Sequence, residues 1–127
     1  MAMNKRLWIQ IIALSAALCV ALGAFAAHGL ESTLSAKHMA TFRTAVLYQF
    51  LHTLALLGIV SLPNDLLKIR RQALAAKSLL LGIVLFSGSL YALVFTGISA
   101  IGMITPLGGL AFITGWLLLF TATTRST

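Results

Sequence analysis

Apolar residues do not alternate along this chain; they collect in four long runs separated by short polar stretches. The first run, 7–27, carries no charge and is long enough to cross about 30 Å of hydrocarbon at about 1.5 Å per residue. The second, 44–62, is interrupted by Gln49 and His52, yet it holds ten Leu, Ile, Val and Phe. Those ten contribute roughly −3 to −6 kcal/mol of insertion free energy, which two uncharged polar side chains do not outweigh. The third, 78–96, is followed by Gly97, a residue suited to the left-handed conformation that ends helices. The fourth, 105–122, opens on Thr105 as cap with Pro106 in the first helical position. The pattern predicts an all-α integral membrane protein, a single domain (1–127) built as a four-transmembrane-helix bundle.

Orientation follows from where Lys and Arg fall, because short loops rich in positive charge stay on the cytoplasmic side during insertion. Lys5 and Arg6 precede the first run, Lys68, Arg70, Arg71 and Lys77 lie between the second and third, and Arg125 is in the tail. Only Lys37 and Arg43 fall on the opposite face, so both termini are expected in the cytoplasm of a cell inner (plasma) membrane. The N-terminal segment, with Lys5, Arg6 and the triplet Ala24-Phe25-Ala26, also resembles a cleavable signal peptide. Its apolar region is about 20 residues where signal peptides have about 7 to 15, so it is expected to remain as a span. Between the first two runs, Gly29 is suited to end a helix and Ser32 or Ser35 to cap the next. Leu34, Met39 and Phe42 suggest a piece lying along the outer interface. After the second run, Pro63, Asn64 and Asp65 make a turn, and 66–71 reads as an interfacial lead-in to the third helix.

Helices in a bilayer associate by close packing at small residues and by shared hydrogen bonds. Ser15, Cys19, Gly23 and Ala27 form one small-residue ridge on the first helix, with Ala13, Ala17 and Ala21 beside it. The second helix offers Thr41, Ala45, Tyr48, His52, Ala55 and Ile59 in a similar rhythm. The third offers Ser78, Gly82, Leu85, Ser89, Ala92 and Thr96, and the fourth Gly108, Ala111 and Gly115. Helix packing accounts for most of these positions; oligomer contacts and a ligand cavity are alternatives that spacing does not separate.

Unpaired polar groups are costly in hydrocarbon, so the polar residues carry more information. Counting depth from each helix's outer end places Cys19, His52, Ser87, Ser89 and Thr114 in one layer roughly 10 to 14 Å deep, with Gln49 and Tyr91 at about 7 to 8 Å. His52 is expected to bond to Ser87 or Ser89 and to be neutral at pH 7. Gln49 is expected to bond to Tyr91 or a free backbone carbonyl. An ionisable residue at this depth is a candidate site by default, but a proton relay needs a next group, and the only acids, Glu31 and Asp65, lie in loops. Anchoring is therefore the leading expectation for His52, with a functional role as the alternative.

Composition narrows the function classes further. Charged residues make up 9% of 127, and the net charge is +7. Anionic lipid headgroups suit that excess, whereas the interleaved basic and aromatic surface that nucleic acid requires is missing. The bilayer is the expected partner, with a second copy of the chain or another membrane protein as a further one. One cysteine excludes a disulfide framework within the chain. His28, His38 and Glu31 share a loop but match no established metal-ligand spacing. Phosphate loops, paired carboxylates and a nucleophile with its base are all missing from the sequence, so neither metal, cofactor nor enzymatic activity is expected.

Several motifs together resemble a known family: Ala-His-Gly-Leu at 27–30, Tyr-Gln-x-x-His at 48–52, Leu-Phe-Ser-Gly-Ser-Leu-Tyr-Ala-Leu at 85–93, and Ile-Thr-Pro-Leu-Gly-Gly at 104–109 with Gly115 and Trp116. The chain is similar over nearly its whole length to small bacterial inner-membrane proteins of the YgdD and YwdK type, domain of unknown function 423, related to the eukaryotic transmembrane protein 256. Where that family has Ala-Phe-Gly-Ala-His-Gly, this chain has Ala26 in place of the glycine. The resemblance implies four spans and an uncharacterised activity. The motif positions it carries over are His28, Tyr48, Gln49, His52, Ser87, Gly88, Ser89, Tyr91, Thr105, Pro106, Gly108, Gly109 and Trp116. Most of the polar ones also emerge from the depth count, which predicts one connected polar cluster of His28, Tyr48, Gln49, His52, Ser87, Ser89 and Tyr91. Ser15, Cys19, Gly23, Gly82, Gly88, Gly108, Gly109 and Gly115 are the expected packing positions. The leading expectation is a non-enzymatic structural or accessory protein. The alternative is a small transporter or channel that binds a solute, lipid headgroup or proton at His52 and Gln49. Small multidrug exporters have similar length and span count but rely on an acid in the first helix, which this one lacks.

Overall fold

A computed structural model describes residues 3–123. Four helices in it are long and apolar enough to cross a membrane: α1 (Lys5–Leu30), α2 (Ala36–Ser61), α3 (Ile69–Thr96) and α4 (Thr105–Phe120), the last reaching that length together with the 3-10 turn at Ser99–Met103 that leads into it. Local chemistry sets their ends. The Asn4 side chain accepts the Leu7 N–H at 3.1 Å, and the Ser35 hydroxyl accepts that of His38 at 3.1 Å. Each satisfies a backbone donor that the first helical turn leaves open. Gly97 ends α3 at φ +71, the left-handed stop expected of it. Thr105 is itself helical and does not cap α4, because its hydroxyl is held by Ser89; Pro106 still occupies the first turn.

Two helices begin earlier than the apolar runs. α2 starts at Ala36 rather than residue 44, and α3 at Ile69 rather than residue 78. Gly29 does not end α1, which continues to Leu30. Once Ser35 has capped α2, Lys37 and Arg43 do not interrupt it, because both stand on its exposed side. Of the piece expected along the outer interface, Met39 and Phe42 are instead part of this helix, and Leu34 precedes it. Phe42 is fully buried, with its ring 5.7 Å from that of Tyr91 and 6.1 Å from that of Phe95. Likewise the second half of the expected interfacial lead-in, from Ile69 onward, is α3 itself, so Arg70, Arg71 and Lys77 lie on a helix and not in a loop.

Successive helices are neighbours, α1 on α2, α2 on α3 and α3 on α4, and the last pair has the most extensive contact. Trp8, Ile12, Leu56, Val60, Leu79 and Phe112 join all four in one apolar cluster, while Met39, Phe42 and Val94 form a second towards the opposite end. At the first end the Lys68 N–H donates to the Ala122 carbonyl at 2.8 Å, and Met3 packs against the same cluster as Leu119. The α2–α3 connection and both ends of the described chain therefore share one side of the bundle. Arg125, the tail charge, lies outside the described residues.

The α3–α4 seam is set by glycines. A Cβ at Gly82 would strike the Phe112 ring, and one at Gly108 would strike the Phe86 backbone. At Gly115 it would stand 2.7 Å from Leu79 Cδ2. α3 changes to π-helical bonding over Ile83–Ser87, alongside the Gly108 contact. Gly23 does the same for α1 and α2 more loosely, its Cβ position lying 3.3 Å from Val46 Cγ1. Gly88 and Gly109, expected to be packing positions, have no described atom within 4 Å of that position. Ala13, Ala17 and Ala21 are exposed, so the second ridge of α1 meets no other helix.

Candidate functional site

The polar residues of the spans form separate hydrogen-bonded sets. One set joins three helices. Tyr91 on α3 donates its hydroxyl to Gln49 Oε1 on α2 at 2.7 Å, and Gln49 Nε2 donates to the Ser15 carbonyl and hydroxyl on α1 at 3.3 and 3.2 Å. The Ser15 hydroxyl in turn shares a 2.7 Å bond with that of Thr53. Gln49 thus has both partners expected of it, a tyrosine and a main-chain carbonyl.

A second set is centred on His52. Its Nδ1 lies 2.9 Å from the Tyr48 carbonyl one turn earlier, and its Nε2 lies 3.1 Å from Nε1 of Trp116 on α4. An indole N–H only donates and a carbonyl only accepts. The ring that fits both is neutral, with its proton on Nδ1. The imidazole also stacks on Phe112, with centroids 3.7 Å apart and planes at 15°. Tyr48 and Phe86 extend this aromatic contact, with centroids 4.5 Å apart.

The expected bond from His52 to Ser87 or Ser89 does not form. Ser87 donates to the Ala45 carbonyl at 2.7 Å, while Ser89 bonds to the Phe86 carbonyl at 3.0 Å and to the Thr105 hydroxyl at 2.6 Å. The cause is register. Starting α2 at 36 instead of 44 shifts depths counted from its outer end by eight residues, about 12 Å of helix. That brings Ala45, two turns before His52, opposite Ser87. Gln49 and Tyr91 still meet because both side chains are long.

The expected single cluster is therefore divided. Tyr48 contributes its carbonyl and ring to the His52 set but is itself 37% exposed. His28 sits exposed in the last turn of α1, apart from both sets, and Thr114 faces outward. Cys19 is buried and free. Three members escaped sequence reasoning on polar depth. Thr53 lies one turn from Gln49, a spacing that could have revealed it. Trp116 follows Phe112 by four residues, which places both on one face of α4. Gln72, 1% exposed, donates to the carbonyls of Ile59 and Leu62 at 2.7 and 3.4 Å and so closes the end of α2; nothing in its spacing marked it.

Among the described residues every buried side-chain nitrogen and oxygen has a hydrogen-bond partner. No three His, Cys, Asp or Glu among them come together as a metal site. A cavity of about 340 Å³ between α1 and α2 is lined by Cys19, Gly23, Val46 and Phe50 among others, but by neither Gln49 nor His52.

Residues 22–109 match the model of a protein family described as "Protein of unknown function (DUF423)". The chain belongs to this family. It is 45% identical to a UPF0382 membrane protein of Haemophilus influenzae, covering 89% of this chain and 90% of that one. Identity is 42% to the UPF0382 membrane protein YwdK of Bacillus subtilis, over 94% and 98% of the two chains. It is 38% to the UPF0382 inner membrane protein YgdD of Escherichia coli, over 97% and 93%. No solved structure matches. The membership agrees with the resemblance carried by the motifs around His28, His52, Ser87 and Thr105, and with four membrane-length helices in a family of uncharacterised function.

Proposed function

We propose that the protein is a non-enzymatic, four-span inner-membrane protein with a structural or accessory role, in which buried polar pairs fix the register of the helices. The observation that carries this is the closure of the polar sets: both nitrogens of His52 and both ends of the Gln49 amide meet groups of the same chain. A solute site needs polar groups free to meet a solute, and a proton relay needs a titratable neighbour. The rings against His52 are those of Tyr48, Phe112 and Trp116, so no carboxylate or second histidine is among its described partners, and the one titratable group is a tyrosine, a side chain whose ordinary pKa lies far above neutrality. The bilayer is the partner this surface suits, since most large exposed side chains on the spans are apolar.

The charge distribution supports both termini in the cytoplasm. The bundle end that gathers Lys5, Arg6, Lys68, Arg70 and Arg71 also holds both ends of the described chain, and that end is the one expected to be retained.

His52→Ala in purified protein is the test. Loss of the folded species in detergent supports anchoring. Full folding together with loss of the phenotype restored by the unaltered chain would assign His52 to binding or transport.

A further inference from the structure

The groove between α1 and α2 carries one group that the bundle does not use. Gly23 and Ala27 of α1 face Val46, Leu47 and Phe50 of α2 across about 340 Å³, a volume at the lower end of small-ligand pockets. α1 has π-helical bonding over Ala21–Ala26, along this groove, and such a widened turn is often retained where a ligand is held. Arg43 lines the same groove; it is exposed and, among the described residues, its side chain has neither a hydrogen bond nor an ion pair. Residues 43, 46, 47 and 50 share one face of α2. Arg43 also stands immediately before the uncharged run 44–62 of α2.

We propose that this groove holds one acyl chain of an anionic glycerophospholipid, with its phosphate on the Arg43 guanidinium. The two halves of the site match the two halves of such a molecule. Val46, Leu47 and Phe50 offer an apolar channel directly below the cation, and a guanidinium presents a planar fork that suits phosphate oxygens. Glu31, the one acid near this end of the bundle, does not neutralise the arginine. The site is separate from the His52 and Gln49 sets, so its failure would leave the anchoring role intact.

The test is native mass spectrometry of the full-length protein from micelles containing equal amounts of phosphatidylglycerol and phosphatidylcholine. The unaltered chain is expected to retain phosphatidylglycerol several-fold over phosphatidylcholine. Arg43→Gln is expected to bring the two to parity, and Leu47→Trp, which adds bulk at an exposed position in the groove, to lower retention of both. Circular dichroism checks folding, and should Leu47→Trp misfold, Arg43→Gln alone decides. Equal retention by the unaltered chain, a preference that persists in Arg43→Gln, or a copurifying polypeptide that excludes lipid would each overturn the proposal.

Discussion

The imidazole of His52 lies face to face with the ring of Phe112, their centroids 3.7 Å apart, while a Cβ at Gly82 would strike the same ring. One phenylalanine from α4 thus meets both a polar ring of α2 and a bare stretch of α3. Phe112 is 4% exposed. With the Trp116 hydrogen bond one turn further along, α4 is attached to α2 by stacking and by a directional contact, although its main packing is against α3.

Replacing His52 by alanine removes the stack and leaves the Trp116 N–H without its acceptor. By analogy with large-to-small core changes, the cost is expected to be about 2 to 4 kcal/mol. Trp116→Phe keeps the aromatic surface and removes only the donor. Interhelical hydrogen bonds in membranes average about 0.6 kcal/mol and reach about 1.7, so this variant is expected to lose no more than that. Unfolding equilibria in mixed micelles measure both.

Gly82→Leu and Gly108→Leu are expected to abolish the folded protein, because the added side chains enter the Phe112 ring and the Phe86 backbone respectively. Gly88→Ala and Gly109→Ala are expected to leave folded yield within about twofold, since their Cβ positions meet no described atom within 4 Å. Gel filtration in detergent after matched expression separates the two pairs.

The Gln49–Tyr91 bond predicts non-additivity. Tyr91→Phe leaves Gln49 Oε1 unpaired and Gln49→Leu strands the tyrosine hydroxyl, each costing about 1 to 3 kcal/mol as an unmet buried polar group. Combining them removes both orphans, and the double variant is expected to be more stable than the sum of the singles. A double-mutant cycle reads the coupling directly; additive costs would show that the pair is not formed.

Much of this architecture was legible in the apolar runs, because about 20 uncharged residues in succession admit few other structures. Gly97 was legible as a stop for the same local reason. The early starts of α2 and α3 were not. Lys37, Arg43, Arg70, Arg71 and Lys77 read as loop residues by charge, yet on a helix they project to the outside and cost it little. That error of two turns in α2 displaced His52 relative to Ser87 and turned one expected cluster into several sets. Trp116 was overlooked as a partner because a tryptophan in an apolar helix reads as bulk, although its N–H requires an acceptor. The glycines of the α3–α4 seam show both outcomes: Gly82, Gly108 and Gly115 meet bulky neighbours, while Gly88 and Gly109, identical in sequence terms, face open space.

The proposed orientation rests on charge and is expected to move with it. A reporter fused after Thr127 is expected to read cytoplasmic. Neutralising Lys68, Arg70, Arg71 and Lys77 together is expected to reduce the fraction so oriented, because the excess of positive charge holding that side would fall from five residues to one. A periplasmic reading for the unaltered chain would reverse the assignment of sides without altering the bundle.

The anchoring role of His52 is tested most directly by solid-state NMR of ¹⁵N-histidine-labelled protein in lipid bilayers at pH 7, with His28→Gln and His38→Gln to leave a single histidine. The expected spectrum is a neutral ring protonated at Nδ1, with Nε2 unprotonated and correlated with the Trp116 indole proton. A ring protonated at Nε2, or one whose nitrogen-bound proton exchanges rapidly with water, would contradict it and place His52 in contact with a solvent or solute pathway.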